Sequence, residues 1–255
     1  MNTANRVVFN TIVLYVKMVV NMLISLVSVP LIMHALGVSD YGLYNLIAGV
    51  IGMLSFLNAS MTVSTQRYLS VSIGEKDQEK SNRIYNNSLL LHLLLGLFLV
   101  VLFEACAPLF FNGSLNIEPD RMGTAKIIYQ FLVITTFATV ITVPYGAVMN
   151  AKENMLAFSV LGIVDAVLKL LLALYLSHCP FDRLIFYGIG MAAISILNMI
   201  FNRLYVNIKY KEFERGIRKY YDKATFREML GFILQERYDV LYAGDGVEAL
   251  EVLRA

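Results

Sequence analysis

Apolar residues along the chain gather into six long runs, at 9–33, 43–65, 87–111, 127–149, 155–177 and 184–206. At about 1.5 Å of helical rise per residue, each run is long enough to cross roughly 30 Å of hydrocarbon. Turn-forming residues mark the breaks at 37–40, 74–77, 112–120, 150–154 and 177–182. Within five of the six runs, polar residues recur at helical spacing. The first carries Asn10, Lys17, Asn21, Ser25 and Ser28, and the second Ser55, Asn58, Thr62 and Thr65. The fourth has Thr135, Thr139 and Thr142, the fifth Asp165 and Lys169, and the sixth Gly188, Ser195, Asn198 and Asn202. Intervals of three, four and seven keep each set on one helical face. Facing lipid, such a stripe would leave its donors and acceptors unpaired, so the stripes are expected to face protein or water. The third run reads as apolar almost throughout. The pattern predicts an all-α fold, a polytopic membrane bundle of six transmembrane helices.

Composition agrees. Of 255 residues, 58% are hydrophobic and only 16% charged, with a mean hydropathy of +0.63, whereas soluble domains carry about 25% charged residues. This excludes a typical cytosolic enzyme and a disordered chain. The net charge of +2 is too small to suggest a nucleic-acid partner. With no Trp, the interfacial aromatic belt falls to tyrosines such as Tyr41, Tyr44, Tyr68, Tyr85, Tyr187, Tyr205 and Tyr210. The first run is not read as a cleaved signal peptide, because it is too long and lacks a small-x-small site at its end. Cys106 and Cys179 are read as packed thiols, with a single bridge as the alternative. His34, His92 and His178 lie far apart, so neither metal nor cofactor is expected.

Lysines and arginines divide unevenly between the two sets of loops. Arg6, Arg67, Lys76, Lys80, Arg83, Lys152, Lys209, Lys211, Arg215, Arg218, Lys219 and Lys223 fall on one side, and Arg121, Lys126 and Arg183 on the other, twelve against three. The positive-inside rule places the N-terminus and the segment after the sixth helix in the cytoplasm.

The intramembrane charges carry the candidate chemistry. Ser, Thr, Asn and Gly positions alone are read first as helix–helix contacts. A lysine at mid-membrane costs at least about 2.5–3.5 kcal/mol, so Lys17 needs an acid or a hydrated cavity, and its own helix offers no acid. Asp165 and Lys169 stand at i, i+4 with the acid first, the favourable order; a self-neutralised pair and a functional pair are both consistent with that spacing. Glu104, near an outer helix end, is expected to snorkel.

Asn5-Arg6-Val7-Val8-Phe9-Asn10-Thr11, a first helix running to Pro30, and Leu36-Gly37-Val38-Ser39-Asp40-Tyr41-Gly42-Leu43-Tyr44 precede a polar-striped second helix. With Arg67 and the later Arg218-Lys219-Tyr220-Tyr221 stretch before 226–232, these residues resemble the N-terminal half of a polysaccharide (O-antigen type) flippase. That family lies in the multidrug, oligosaccharidyl-lipid and polysaccharide exporter (MOP) superfamily. The resemblance implies two lobes of six to seven helices around a cavity of alternating access, in a bacterial inner membrane. It implies an undecaprenyl-diphosphate-linked oligosaccharide as substrate, its anionic diphosphate meeting cavity cations. The positions that match in kind are Lys17, Arg67 and Lys169. With the polar stripes, the candidate cavity set is Lys17, Asn21, Asn58, Arg67, Asp165, Lys169, Asn198 and Asn202.

Three regions are expected: a transmembrane lobe at 1–207, a basic cytoplasmic segment with the start of a seventh helix at 208–232, and a tail at 233–255. The tail's Gly244-Asp245-Gly246-Val247-Glu248-Ala249-Leu250 resembles part of a response-regulator receiver domain. The phosphoacceptor position has no counterpart, so the tail is expected to form no phosphorylatable domain. The chain therefore reads as truncated relative to a two-lobe exporter, with a second lobe as an expected partner beside membrane lipid. The alternatives are a drug/cation antiporter of the same superfamily, an inactive fused gene product, and a membrane-anchored signalling protein.

Overall fold

The computed structural model describes residues 3–52, 55–114 and 117–231, with side chains there except at 3–4, 55–60 and 113–114. The receiver-like tail at 233–255 lies outside the described residues. Every described element is helical: α1 (Thr3–Gly52), α2 (Ser55–Gly74), α3 (Gln78–Leu109) with a π-helical turn at Phe110–Ser114, α4 (Met122–Ala151), α5 (Met155–Leu176), α6 (Arg183–Lys209) and the single turn α7 (Ile217–Tyr220). A further helical stretch occupies 223–231. Helix is the secondary structure that closes its backbone hydrogen bonds within one segment, which a hydrocarbon solvent requires. Side-chain carboxylates or amides fix the starts that the sequence marked as turns: Asp77 accepts from the Lys80 N–H, Asn154 from that of Ala157, and Asp182 from those of Leu184 and Ile185.

Five of these helices are long and apolar enough to cross a membrane, against six expected. The difference lies in the first two runs. α1 continues as helix past Pro30 and contains both the first run and part of the second, joined at Gly37. Gly37 has φ 79° and ψ 167°, a conformation that essentially only glycine adopts. Its two arms, 3–36 and 38–52, lead in opposite directions. Residues at the start of the first arm meet the α4–α5 turn, with Arg6 3.1 Å from Glu153. Ala35 receives a hydrogen bond from Arg183 at the other end of the bundle. After Gly37 the chain runs back: Ile47 and Ile51 share a core with Leu99, Leu132 and Val133, and Met61 of α2 shares one with Leu89 and Tyr145. α2 fails as a span by itself because Ser, Thr, Asn, Gln and Arg dilute its apolar residues.

α3 corrects the sequence reading most. It starts at Gln78, nine residues before the apolar run at 87–111, and its first half buries Ser81, Asn82 and Asn86 in that added stretch and Asn87, Ser88 and His92 in the first turns of the run, a polar face on both. Three of its amides hold the backbone of the chain that leaves α6. Gln78 donates to the Glu212 carbonyl at 2.9 Å, Asn82 accepts from the Glu214 N–H at 3.3 Å, and Asn86 donates to the Glu214 carbonyl at 2.8 Å. The Gly216 N–H donates to Asn86 Oδ1 at 2.9 Å. Phe213 and Met229 are buried in the same cluster as Tyr85, so residues 210–231 wrap the end of the bundle that holds Arg6 and Glu153. Glu214 accepts from the Tyr220 hydroxyl and the Lys219 ammonium, which together hold its carboxyl below the usual carboxylate range. Cys106 and Cys179 are free thiols.

Candidate functional site

The site is built on one face of α5. Phe158, Gly162, Asp165 and Lys169 follow at intervals of four, three and four, so they stack along one side of the helix. Gly162 leaves a notch. A Cβ at this position would lie 2.6 Å from Cε of Lys17 and 3.0 Å from its Nζ, so the Lys17 stem rests directly on the α5 backbone. Its ammonium then sits 3.8 Å from the centroid of the Phe158 ring, within the range of a cation–π contact. Gly146 of α4 gives that ring room from behind, a Cβ there being 3.6 Å from it.

Asp165 attracts the Lys17 ammonium electrostatically, but its oxygens are engaged elsewhere. Oδ2 lies 2.7 Å from the Lys169 ammonium, and Oδ1 accepts from the Asn198 amide at 3.2 Å. Asn198 in turn accepts from the Asn202 amide. Lys169, Asp165, Asn198 and Asn202 thus form one connected chain across α5 and α6. Among the described residues, Lys17 has no hydrogen-bond acceptor and no paired carboxylate. All three of its N–H groups remain available to whatever enters.

These residues line a cavity of about 380 Å³ between α5 with the first arm of α1 on one side, and α2, α4 and α6 on the other. Thr62, Thr139, Thr142, Asn150 and Ser195 complete the polar part of its wall. The Thr139 and Thr142 hydroxyls donate to the carbonyls of Thr135 and Ala138, at 2.9 and 2.7 Å, so toward the cavity they can offer only lone pairs. Asn150 Oδ1 is buried and unpartnered among the described residues.

Five of the eight candidate residues meet here: Lys17, Asp165, Lys169, Asn198 and Asn202. The other three do not. Asn21 stands one turn further along α1, its Oδ1 buried and unpartnered among the described residues. Arg67 is exposed near the end of α2, outside the cavity wall. The Asn58 side chain lies outside the described residues. Sequence reasoning missed Phe158, Gly162 and Asn150. For the first two a signal existed, since they precede Asp165 on its own face at helical spacing. No cluster of His, Cys, Asp or Glu suited to a metal occurs among the described residues.

The fold has counterparts among solved structures. An outward-facing multidrug-resistance transporter of the MATE family, in the MOP superfamily, superposes with a TM-score of 0.74. The match is 19% identical and covers 90% of this chain and 50% of that one. A MOP-superfamily transporter from Pyrococcus furiosus Vc1, in which the binding pocket has reversed polarity, matches at TM-score 0.70 and 17% identity, over 88% of this chain and 50% of that one. A MATE transporter in complex with MaL6 matches at TM-score 0.67 and 15% identity, over 87% and 50%. The fold is that of half a MOP-superfamily transporter. The chain spans about half the length of the MOP structures it matches. No protein-family model and no curated protein matches it. In this half-MOP fold the cavity residues belong to a multi-pass membrane bundle, with the α5 face and Lys17 set against α4 and α6.

Proposed function

We propose that the chain forms one lobe of an exporter that carries an anionic, lipid-linked oligosaccharide across the bacterial inner membrane, with six crossings. The sixth comes from counting the two arms of α1 apart and joining the second arm to α2. The Lys and Arg bias places Arg6, Lys152 and the 210–231 wrap in the cytoplasm.

One observation carries the substrate class: Lys17 presents an ammonium to a polar cavity with no acidic partner among the described residues. A diphosphate leaving water needs fixed cations to offset its lost hydration, and charge-assisted hydrogen bonds from an ammonium supply them. The acceptor lone pairs of Thr139 and Thr142 suit sugar hydroxyls. Cation antiport would need a free carboxylate, and that of Asp165 is engaged by Lys169 and Asn198.

The test is binding and export. In the 255-residue chain, Lys17→Ala should weaken farnesyl diphosphate binding at least about tenfold, the equivalent of one charge-assisted hydrogen bond. Lys126→Ala, at the other end of the bundle, should leave it unchanged. Joined to a second lobe, the Lys17→Ala chain should lose glycan export. Equal affinity in the two variants would remove Lys17 from the site. Topology is tested separately: Lys76→Cys and Asp120→Cys should react with an impermeant maleimide from opposite faces, and reaction from the same face would defeat the six-crossing arrangement.

A further inference from the structure

The cavity contains two ammonium groups and one carboxylate, an arrangement with an obvious collapse: Asp165 could bridge Lys17 and Lys169 and so neutralise both. The structure keeps them apart. The Lys17 stem lies in the Gly162 notch, and its head rests on the Phe158 ring, while Asp165 turns to Lys169 and Asn198. Phe158 and Gly162 come from the same helix as Asp165, two turns and one turn nearer its start respectively, so they fix Lys17 at a different level of the cavity from the carboxylate. We infer that Phe158 and Gly162 are positioning residues that park Lys17 away from Asp165 and so keep its charge available to an anionic ligand. This rests on the reading that the cavity takes an anion, and it adds the device that keeps the cavity competent while empty.

The physical reasoning has two parts. A cation over an aromatic face gains about 0.5–2 kcal/mol, comparable to what a partly solvated ion pair offers, so the ring can compete with the carboxylate for the ammonium. The notch acts through geometry. A methyl group at 162 would overlap Cε of Lys17 and lift the stem off α5, which takes the ammonium away from the ring. Removing either feature frees Lys17 to fold onto Asp165, and the ligand must then displace a carboxylate before it can bind.

The experiment uses the full chain in nanodiscs, with farnesyl diphosphate as probe and a double-mutant cycle as readout. Phe158→Leu should weaken binding about tenfold, since 1.4 kcal/mol corresponds to a factor of ten. In an Asp165→Asn background, where no carboxylate can capture Lys17, the same Phe158→Leu change should alter affinity by less than about twofold. Gly162→Ala should show the same dependence on background, weakening binding where Asp165 is present and not in Asp165→Asn, and Phe158→Trp should bind like the original chain. An independent signature is available from ¹³C-dimethylated lysines, which keep their charge. The Lys17 methyl resonance should be shifted upfield by the ring current in the original chain and in Phe158→Trp, and should lose that shift in Phe158→Leu. An equal loss of affinity in both backgrounds would show that Phe158 acts only through packing and overturn the inference, as would an unshifted Lys17 resonance. The two readings separate cleanly: if Lys17→Ala leaves probe binding intact, the anion-binding proposal fails, and the resonance still decides whether the ring parks Lys17.

Discussion

Replacing Arg121 with leucine should destabilise the protein by about 2–4 kcal/mol, somewhat below the cost of removing one partner from a fully buried charge cluster, because only one of its two acids is buried. Arg121 stands at the start of α4 and bridges two carboxylates. It pairs with Asp40, just past the elbow of α1, and its Nη1 lies 2.8 Å from Asp182, the N-cap of α6. Asp40 is buried. Without the guanidinium, two carboxylates would face each other with one of them shut off from water, and three helix ends would lose their common tie. Buried Cys179 gives a direct readout, because its reaction with a thiol-reactive dye reports unfolding on heating in detergent. The midpoint should fall by about 10 °C for a chain of this size. Arg121→Lys should recover only part of the loss, since a single ammonium cannot fork between both acids. Asp40→Asn added to Arg121→Leu should also recover part of it. An unchanged midpoint in Arg121→Leu would show that the triad contributes nothing.

Asn86→Leu should cost about 1–3 kcal/mol, because leucine would leave two part-buried backbone groups without their side-chain partner. Asn86 is fully buried and serves the Glu214 carbonyl and the Gly216 N–H simultaneously. The wrap at 210–231 should then detach locally before the bundle unfolds. Trypsin cleavage at Lys211, Arg215 and Lys219 should accelerate, and the Gly216 amide should exchange faster, while amides within α4 keep their protection. Asn82→Leu should have a smaller effect, as its single bond to this segment is longer. Unaltered exchange at Gly216 in Asn86→Leu would mean that Phe213 and Met229 hold the segment without help.

The sequence made the bundle legible because apolar runs of about 20 residues admit few structures in a bilayer. The charged pair of α5 was legible too, through its i, i+4 spacing, and so was the exceptional status of Lys17 on its helix. What escaped was tertiary. Gly37 lies inside a motif that reads as a loop, and nothing local says that helix continues to within one residue of it on both sides. The amides of α3 look like the polar start of a span until the chain after α6 is seen lying on them. Asn21 shares a stripe with Lys17, yet position along the helix axis, which periodicity does not report, keeps it out of the cavity wall; Arg67 shares only the charge of the cavity cations and stands off the face that Thr62 presents. Phe158 and Gly162 stand on the face of Asp165 at helical spacing, a signal of position but not of role, since that role exists in relation to a side chain some 140 residues earlier.

The way α3 grips residues 212–216 also sets a grammar for that connection. Gln78, Asn82 and Asn86 recur every four residues, an advance of about 6.0 Å along a helix, while alternate residues of an extended chain are about 6.6–6.8 Å apart. A slightly contracted, non-strand segment can therefore march in step with the helix, and it does so at 212, 214 and 216. The segment contributes only main-chain atoms to these bonds, so the bonds themselves place no demand on side-chain identity at those three positions, with one exclusion. Proline is barred at 214 and 216, where the N–H is the donor, and admissible at 212, where only the carbonyl is used. Chains that share this fold could diverge widely along the connection and still keep it fastened, provided the three amides on the helix stay four residues apart.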